Sequence, residues 1–216
     1  MKLKWVKTPK IVKKLFPNYH WELPSGDNPV YITFDDGPIP EVTDWVLAQL
    51  DQYNAKATFF CIGDNIRKHP EVFQRIISSG HRTGNHTFNH LKGWQTSFPD
   101  YINNTLKCQQ IIEENSSEKQ KSHSKLFRPP YGKITSKQSR ALRRQGYKII
   151  MWDVLSLDYD SEVSPEECLH NVLRNVKSGS IIVFHDSIKA FPRLEYALPR
   201  VLEFLSQNGY TLKTIP

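Results

Sequence analysis

The chain has 216 residues, 38% of them hydrophobic and 12% aromatic, and no apolar run long enough to span a membrane, so it reads as one globular domain rather than a disordered or membrane-spanning protein. The net charge of +7 is concentrated in the first twenty residues, which hold six lysines and no carboxylate; the remainder is near neutral, which disfavours a nucleic-acid enzyme with a basic working face. Cys61, Cys108 and Cys168 are odd in number and widely spaced, which argues for buried free thiols rather than a disulfide framework or zinc knuckle.

Residues 1–28 read as a basic N-terminal arm. Thr8-Pro9 supplies a capping residue and a proline at the first helical position, and Ile11, Val12, Leu15 and Phe16 then share a face opposite Lys10, Lys13 and Lys14. This predicts a short amphipathic helix, packed on the domain as a plug or resting on an anionic membrane surface. No apolar stretch of signal-peptide length precedes Pro9 and Pro17, so the expected setting is cytoplasmic, with peripheral contact to the inner face of the membrane through residues 1–20 as the arm's alternative role.

From residue 29 to 216, short β-rich runs alternate with amphipathic helical ones. Strands are predicted over 30–34, 58–62, 81–85, 125–128, 147–152, 180–184 and 210–215. Val72, Phe73, Ile76 and Ile77 mark one intervening helix, and Leu169, Val172, Leu173 and Val176 another. The polar stretch 113–125 reads as a helix end and loop. A β-α order with short connections implies a parallel sheet covered by helices. The polar clusters follow several different strands, as on the rim of a barrel, whereas an open sheet gathers its site at one switch point; a single-domain α/β barrel is therefore expected.

Thr33-Phe34-Asp35-Asp36-Gly37-Pro38 ends the first strand with two carboxylates and a turn, and at a curling strand end both can reach one cavity. His86 and His90 stand at i and i+4, which one helical turn would place on a common side for a metal ion, with one carboxylate of the first motif as third ligand. Two histidines and a carboxylate with open positions make a catalytic rather than a structural site. Arg128-Pro129-Pro130-Tyr131-Gly132 gives a stiff rim and an arginine able to hold a buried carboxylate ionised. His185-Asp186 ends the sixth strand and Asp158 follows the fifth; a carboxylate beside an imidazole raises its pKa toward that of a general acid. Each cluster alone has a plain structural reading as a turn, a chance pair, a surface salt bridge or a core histidine. Five in order, all at strand ends, do not.

The set resembles the polysaccharide deacetylases of carbohydrate esterase family 4, the NodB homology domain, over roughly residues 29–216. The segments at 33–38, 86–90, 128–132 and 183–186 match that family's first, second, third and fifth motifs, and Ala57-Thr58-Phe59-Phe60 resembles its second strand. The resemblance implies a distorted seven-stranded (β/α) barrel, with Asp35 as general base, Asp36, His86 and His90 as metal ligands and His185 as general acid. It also implies that Arg128 orients Asp35, the Tyr131 backbone N–H holds the oxyanion, Asp158 pairs with His185, and Tyr131, Tyr159 and Val183 shape the substrate pocket. The fourth motif departs from the family's Asp-x-x-Asp-Trp, because Leu155 and Tyr159 stand where the first aspartate and the tryptophan would be.

The implied activity is metal-dependent removal of N-acetyl groups from amino sugars in a poly- or oligosaccharide, chitin-like or peptidoglycan-like, with a glycan and no nucleic acid as partner. The ligand types favour one divalent ion, zinc first, with cobalt or nickel fitting the same donors. The rival readings are a deacylase of a lipid-linked amino sugar and a silent carbohydrate-binding barrel; the second should have lost the base or a ligand, and Asp35, Asp36, His86 and His90 are all present.

Overall fold

The run Pro29–Asp35 forms strand β1 and is buried along its whole length, the pattern of a central parallel strand covered on both faces rather than the alternation of a half-exposed one. The computed structural model describes residues 5–24, 26–116 and 124–216. Around β1 lie β2 (Thr58–Cys61), β3 (Arg82–Asn85), β4 (Lys125–Phe127), β5 (Tyr147–Ile149), β6 (Val154–Leu155), β7 (Ile181–His185) and β8 (Thr211–Leu212). The sheet order is β5-β4-β3-β2-β1-β7-β6, with β8 joined to the start of β1. All strand pairs are parallel, and the register sets Asp35 beside His185 on β7 and beside Phe60 on β2. Two residues of the first and last motifs thus meet at one sheet end through backbone pairing alone.

Helices cover the sheet: α1 (Lys10–Leu15), α2 (Val42–Gln52), α3 (Gly63–Lys68), α4 (Pro70–Ser78), α5 (Phe98–Glu114), α6 (Ser136–Arg144), α7 (Pro165–Leu173) and α8 (Phe191–Gln207). Three have side-chain caps: Ser97 on α5, Ser164 on α7, and on α6 a capping box formed by Thr135 and Gln138. The main core stacks Phe34 against Phe59 and Phe184, with ring centroids 5.0 and 6.2 Å apart. None of the described helices is long and apolar enough to cross a membrane.

The distorted α/β barrel expected from the sequence is present, with differences in detail. The run predicted as one strand over 147–152 ends at Ile149, and the two-residue β6 follows it; so short an element carries no periodicity to read. Asp158 therefore follows β6 rather than the fifth strand. Of the predicted loop at 113–125, residues 117–123 lie outside the described residues, and α5 ends at Glu114.

β5 and β6 do not pair with each other, and the N-terminal arm bonds to both. His20 N–H donates to Ile149 C=O (2.9 Å), Met151 N–H to His20 C=O (2.8 Å), Leu155 N–H to Val6 C=O (2.8 Å) and Leu23 N–H to Gly179 C=O (2.9 Å). The expected cap moves by one residue: Pro9 takes the N-cap position, and the Thr8 hydroxyl instead donates to the Trp152 carbonyl. The expected division of α1 into two faces holds only in part. Lys13 turns inward to Asp153, Val12 packs against a small core built on Trp21, and Ile11 and Leu15 stay 67% and 69% exposed.

Candidate active site

The site begins where β1 ends. Asp35 is its last residue, and Asp36 adopts φ 86°, a left-handed conformation costly for a residue with a side chain. The turn is fixed from three sides: Asp36 N–H donates to Phe60 C=O, Asn65 Nδ2 donates to Asp36 C=O (2.7 Å), and Gly37 N–H donates to Asp186 Oδ1 (3.0 Å). Glycine is required at 37, because a Cβ there would lie 2.0 Å from Asp186 Oδ2. This curl is what lets two consecutive carboxylates face one cavity.

The two histidines meet by a different route from the expected helical turn. Residues 86–90 form a loop, in which Thr87 (φ 62°) and His90 (φ 55°) are left-handed. Asn85 Oδ1 accepts the Thr87 N–H, and Asn104 Oδ1 accepts those of Phe88 and Asn89. The imidazole centroids end 5.0 Å apart. Asp36 Oδ1 lies 3.2 Å from His90 Nε2 and 3.7 Å from His86 Nε2.

The donor chemistry of this trio fits a divalent cation. His86 Nδ1 is 2.8 Å from the Arg128 carbonyl, which can only accept, so Nδ1 carries the proton and the Nε2 lone pair faces Asp36. Burial, reinforced by the neighbouring His90, pulls His86 down to about 3, and burial also lowers His90, so both rings favour the neutral ligand form. Asp36 Oδ1 is buried with no hydrogen-bond partner, an orphaned anionic oxygen facing two imidazoles. The three ligand atoms lie within 4.8 Å of one another.

Next to Asp36, at the end of β1, stands Asp35, bonded to Arg128 (Nη1 to Oδ1, 2.7 Å). Arg128 is wholly buried; it also donates to Thr33 Oγ1 (2.7 Å), to Met151 C=O (3.0 Å) and to Ile150 C=O (3.4 Å), and its guanidinium lies 4.1 Å from the Phe60 ring centroid. His185, the register partner of Asp35 on β7, is held twice by Asp158: the backbone N–H to Oδ2 and Nδ1 to Oδ1, both 2.7 Å. Burial works against the imidazolium, but Asp158, followed by Asp36 and Asp35, overrides it and lifts His185 to about 9. Tyr159 meets the His185 ring edge-on at 4.9 Å.

A cavity of about 560 Å³ joins these groups, lined by Asp35, Asp36, His86, His90, Tyr131, Tyr159, Val183 and His185 among the residues singled out from sequence. Arg128 and Asp158 lie behind it, each supporting a residue that faces it. Tyr131 has φ 58°, and its ring lies tilted against that of His90, centroids 4.6 Å apart. The turn bonds of its loop are donated by Gly132 and Lys133, leaving the Tyr131 N–H outside the turn. Sequence reasoning left out Trp152, Ser187 and Lys189 as lining residues, and gave Leu155 and Asp186 no role. Leu155 lines the wall where the family motif has an aspartate. Burial pushes Asp186 up to about 8, which limits the negative charge beneath the turn it supports. The predicted free thiols are borne out: all three cysteines are buried and unpaired.

A cleft of similar volume at the start of β3 and β4 gathers no comparable cluster; Arg82 there already donates to the carbonyls of Ser124 and Ile215.

Comparison with known proteins adds an independent line. A family model described as polysaccharide deacetylase matches residues 22–150. A peptidoglycan-N-acetylglucosamine deacetylase of Bacillus cereus is 34% identical over 196 residues, covering 90% of each chain. A chitooligosaccharide deacetylase of Azorhizobium caulinodans is 30% identical over 202 residues, covering 87% of this chain and 92% of that one. Among solved structures, the Bc1960 peptidoglycan N-acetylglucosamine deacetylase, crystallised with an N-hydroxybenzamide, superposes with a TM-score of 0.87 at 32% identity, over 97% of this chain and 95% of the other.

Proposed function

Because the chain belongs to the polysaccharide deacetylase family, we propose that it removes the N-acetyl group of N-acetylglucosamine residues in a peptidoglycan-type glycan, using one divalent ion held by Asp36, His86 and His90. The observation that carries the reading is that one cavity gathers those three ligands together with Asp35, held by Arg128, and His185, held by Asp158. A divalent ion there supplies carbonyl polarisation and a lowered pKa for water.

The remaining work falls to the chain. Asp35, oriented by Arg128, takes the proton of the attacking water. The Tyr131 backbone N–H donates to the oxygen on which negative charge grows. His185 carries a proton at neutral pH and delivers it to the amine nitrogen, a poor leaving group until protonated. Leu155, Tyr159 and Val183 give the acetyl methyl an apolar wall. Zinc suits two imidazoles and a carboxylate best, and cobalt or nickel fits the same donors. Lys189 on the cavity wall and Lys92, 5.4 Å from the Tyr131 ring, put two ammonium groups at the mouth, which favours a carboxylate-bearing glycan over a neutral chitin oligomer.

Acetate release across a panel of peptidoglycan fragments and chitin oligomers, with added zinc and with chelator, tests the reading. Release from the fragments, lost with chelator and restored by metal, is the expected result. A metal-free preparation of full activity, or no release from any N-acetylated glycan, would end it.

The exposed apolar residues of the arm, Trp5, Ile11, Leu15 and Phe16, with Lys10 and Lys14 beside them, favour a second reading in which the arm rests on an anionic lipid surface. Flotation with anionic vesicles should then carry the protein upward, and an Ile11→Ser, Leu15→Ser variant should stay behind.

A further inference from the structure

Segment 150–155 runs from the end of β5 through β6, and it touches the reaction centre twice. Trp152 and Leu155 line the cavity, while the carbonyls of Ile150 and Met151 accept from the guanidinium that holds Asp35. Trp152 also abuts the Tyr131 loop, since a Cβ on Gly132 (φ 64°) would lie 2.7 Å from its ring. The placement of this segment therefore sets the apolar wall, the rim loop and the support of Asp35 together.

On its open side the segment is held by the arm. Thr8 donates through Oγ1 to Trp152 C=O (2.7 Å) and through N–H to Asp153 C=O (2.9 Å), and Val6 and His20 bond to Leu155 and Met151. At the centre of this contact is Asp153, whose side chain is fully buried yet ionic. Lys7 Nζ reaches Oδ2 (2.6 Å), Lys13 Nζ reaches Oδ1 (2.5 Å), and Ser180 Oγ donates to Oδ2 (2.6 Å). A buried carboxylate is tolerated only when its partners are well placed, so this knot fixes the register of arm on segment more narrowly than apolar packing would. Lys13 is further tied to Glu22 (2.6 Å), closing the arm on itself across α1.

We propose that residues 5–22 act as a positioning element for the deacetylase pocket, with Lys7 and Lys13 clamping Asp153 so that Trp152 and Leu155 close tightly around an acetyl group and exclude longer acyl groups. The inference rests on the function proposed above and adds to it a source of acyl-length selectivity that lies outside the cavity. Lys7, Lys13 and Asp153 touch no reacting atom and act only through segment 150–155.

The test compares the wild type with a Lys7→Met, Lys13→Met variant and a Lys7→Arg, Lys13→Arg variant, with Lys10→Met, an exposed lysine of the same helix, as control. Each is assayed on peptidoglycan fragments whose glucosamine residues carry N-acetyl or N-propionyl groups, at least 15 °C below its own Tm so that lost stability does not enter. The methionine pair should lower the acetyl-over-propionyl ratio of kcat/KM by about tenfold, the scale of one methylene in a fitted pocket. KM for the glycan should stay near wild type, because the arm lines no part of the cavity. The arginine pair should restore most of the ratio, and Lys10→Met should leave it unchanged.

A wild-type ratio in a folded methionine pair would overturn the proposal and leave the arm a purely structural brace. If that pair does not fold, Lys7→Gln, whose side chain is one-third exposed, gives the same reading with a smaller expected drop of about threefold. An unchanged ratio there is equally decisive against it. A wild type that releases no acetate sinks both this inference and the function beneath it, whereas an active wild type with indifferent variants sinks only this one.

Discussion

Replacing Asp158 by asparagine isolates the acid half of the site. The substitution keeps an oxygen opposite His185 Nδ1 and removes the charge that lifts the imidazole from its ordinary 6.5 to about 9. At ~1.4 kcal/mol per tenfold, that rise represents roughly 3 kcal/mol of preference for the protonated ring, most of it from Asp158. The sign is fixed: the charged pair is fully formed below 6.5 and is lost as pH climbs through about 9. Without Asp158, burial dominates and the proton leaves below 6.5. At pH 8 a ring at or below 6.5 holds the acid form in at most about 3% of molecules, a loss of at least about thirtyfold in kcat/KM that shrinks steadily as pH falls toward 5.5. A cation across the cavity pulls both limbs lower without reversing their order. The assay is acetate release from a peptidoglycan fragment between pH 5 and 10. A loss uniform across pH, or a basic limb that stays in place, would refute the assignment of His185 as an acid set by Asp158.

Three further substitutions probe the other half. Asp35→Asn should retain about one metal per chain by elemental analysis while kcat falls about 10²- to 10⁴-fold, the usual worth of a positioned base. Arg128→Met removes a fully buried charge and strands Asp35, so unfolding in urea should show about 3–5 kcal/mol of lost stability. Gly37→Ala should cut metal affinity sharply through its clash with Asp186, and a Gly37→Ala, Asp186→Ser double variant should recover part of it in zinc titrations.

Much of the site was readable because charged residues at the ends of apolar runs are conspicuous. Asp35 and His185 end fully or largely buried strands, and the pairing of β1 with β7 then makes them neighbours. What the sequence concealed was conformational or tertiary. The i, i+4 spacing of His86 and His90 suggested a helix, yet the ligands converge through two left-handed residues whose cost is offset by the amides of Asn85 and Asn104. Trp152 looked like the end of a strand, but it lies beyond β5 on the cavity wall, with its carbonyl bonded by Thr8 of the arm. Lys13 looked like part of a solvated face because its partner, Asp153, lies 140 residues away.

Four aspartates converge around this cavity, and the way each is compensated leads to a last expectation. Asp35 has Arg128; Asp158 has His185; Asp186 has the Gly37 N–H and the Thr43 hydroxyl, and burial pushes it toward the neutral acid. Asp36 alone presents a buried oxygen with no hydrogen-bond partner, facing His90 Nε2 at 3.2 Å and His86 Nε2 at 3.7 Å, an atom that a bound cation would satisfy. Metal binding should therefore appear as stability as well as activity. At a free zinc concentration one hundred times Kd the gain is about 2.7 kcal/mol. For a chain of this length that corresponds to roughly 5–10 °C in Tm. In Asp36→Ala the zinc-dependent shift should vanish, and the metal-free variant should melt near the metal-free wild type, because the oxygen it removes has no hydrogen-bond partner to lose. A wild type whose Tm ignores zinc, or an Asp36→Ala chain that melts far below its metal-free parent, would show that Asp36 is compensated within the fold and that the ligand trio has been misread.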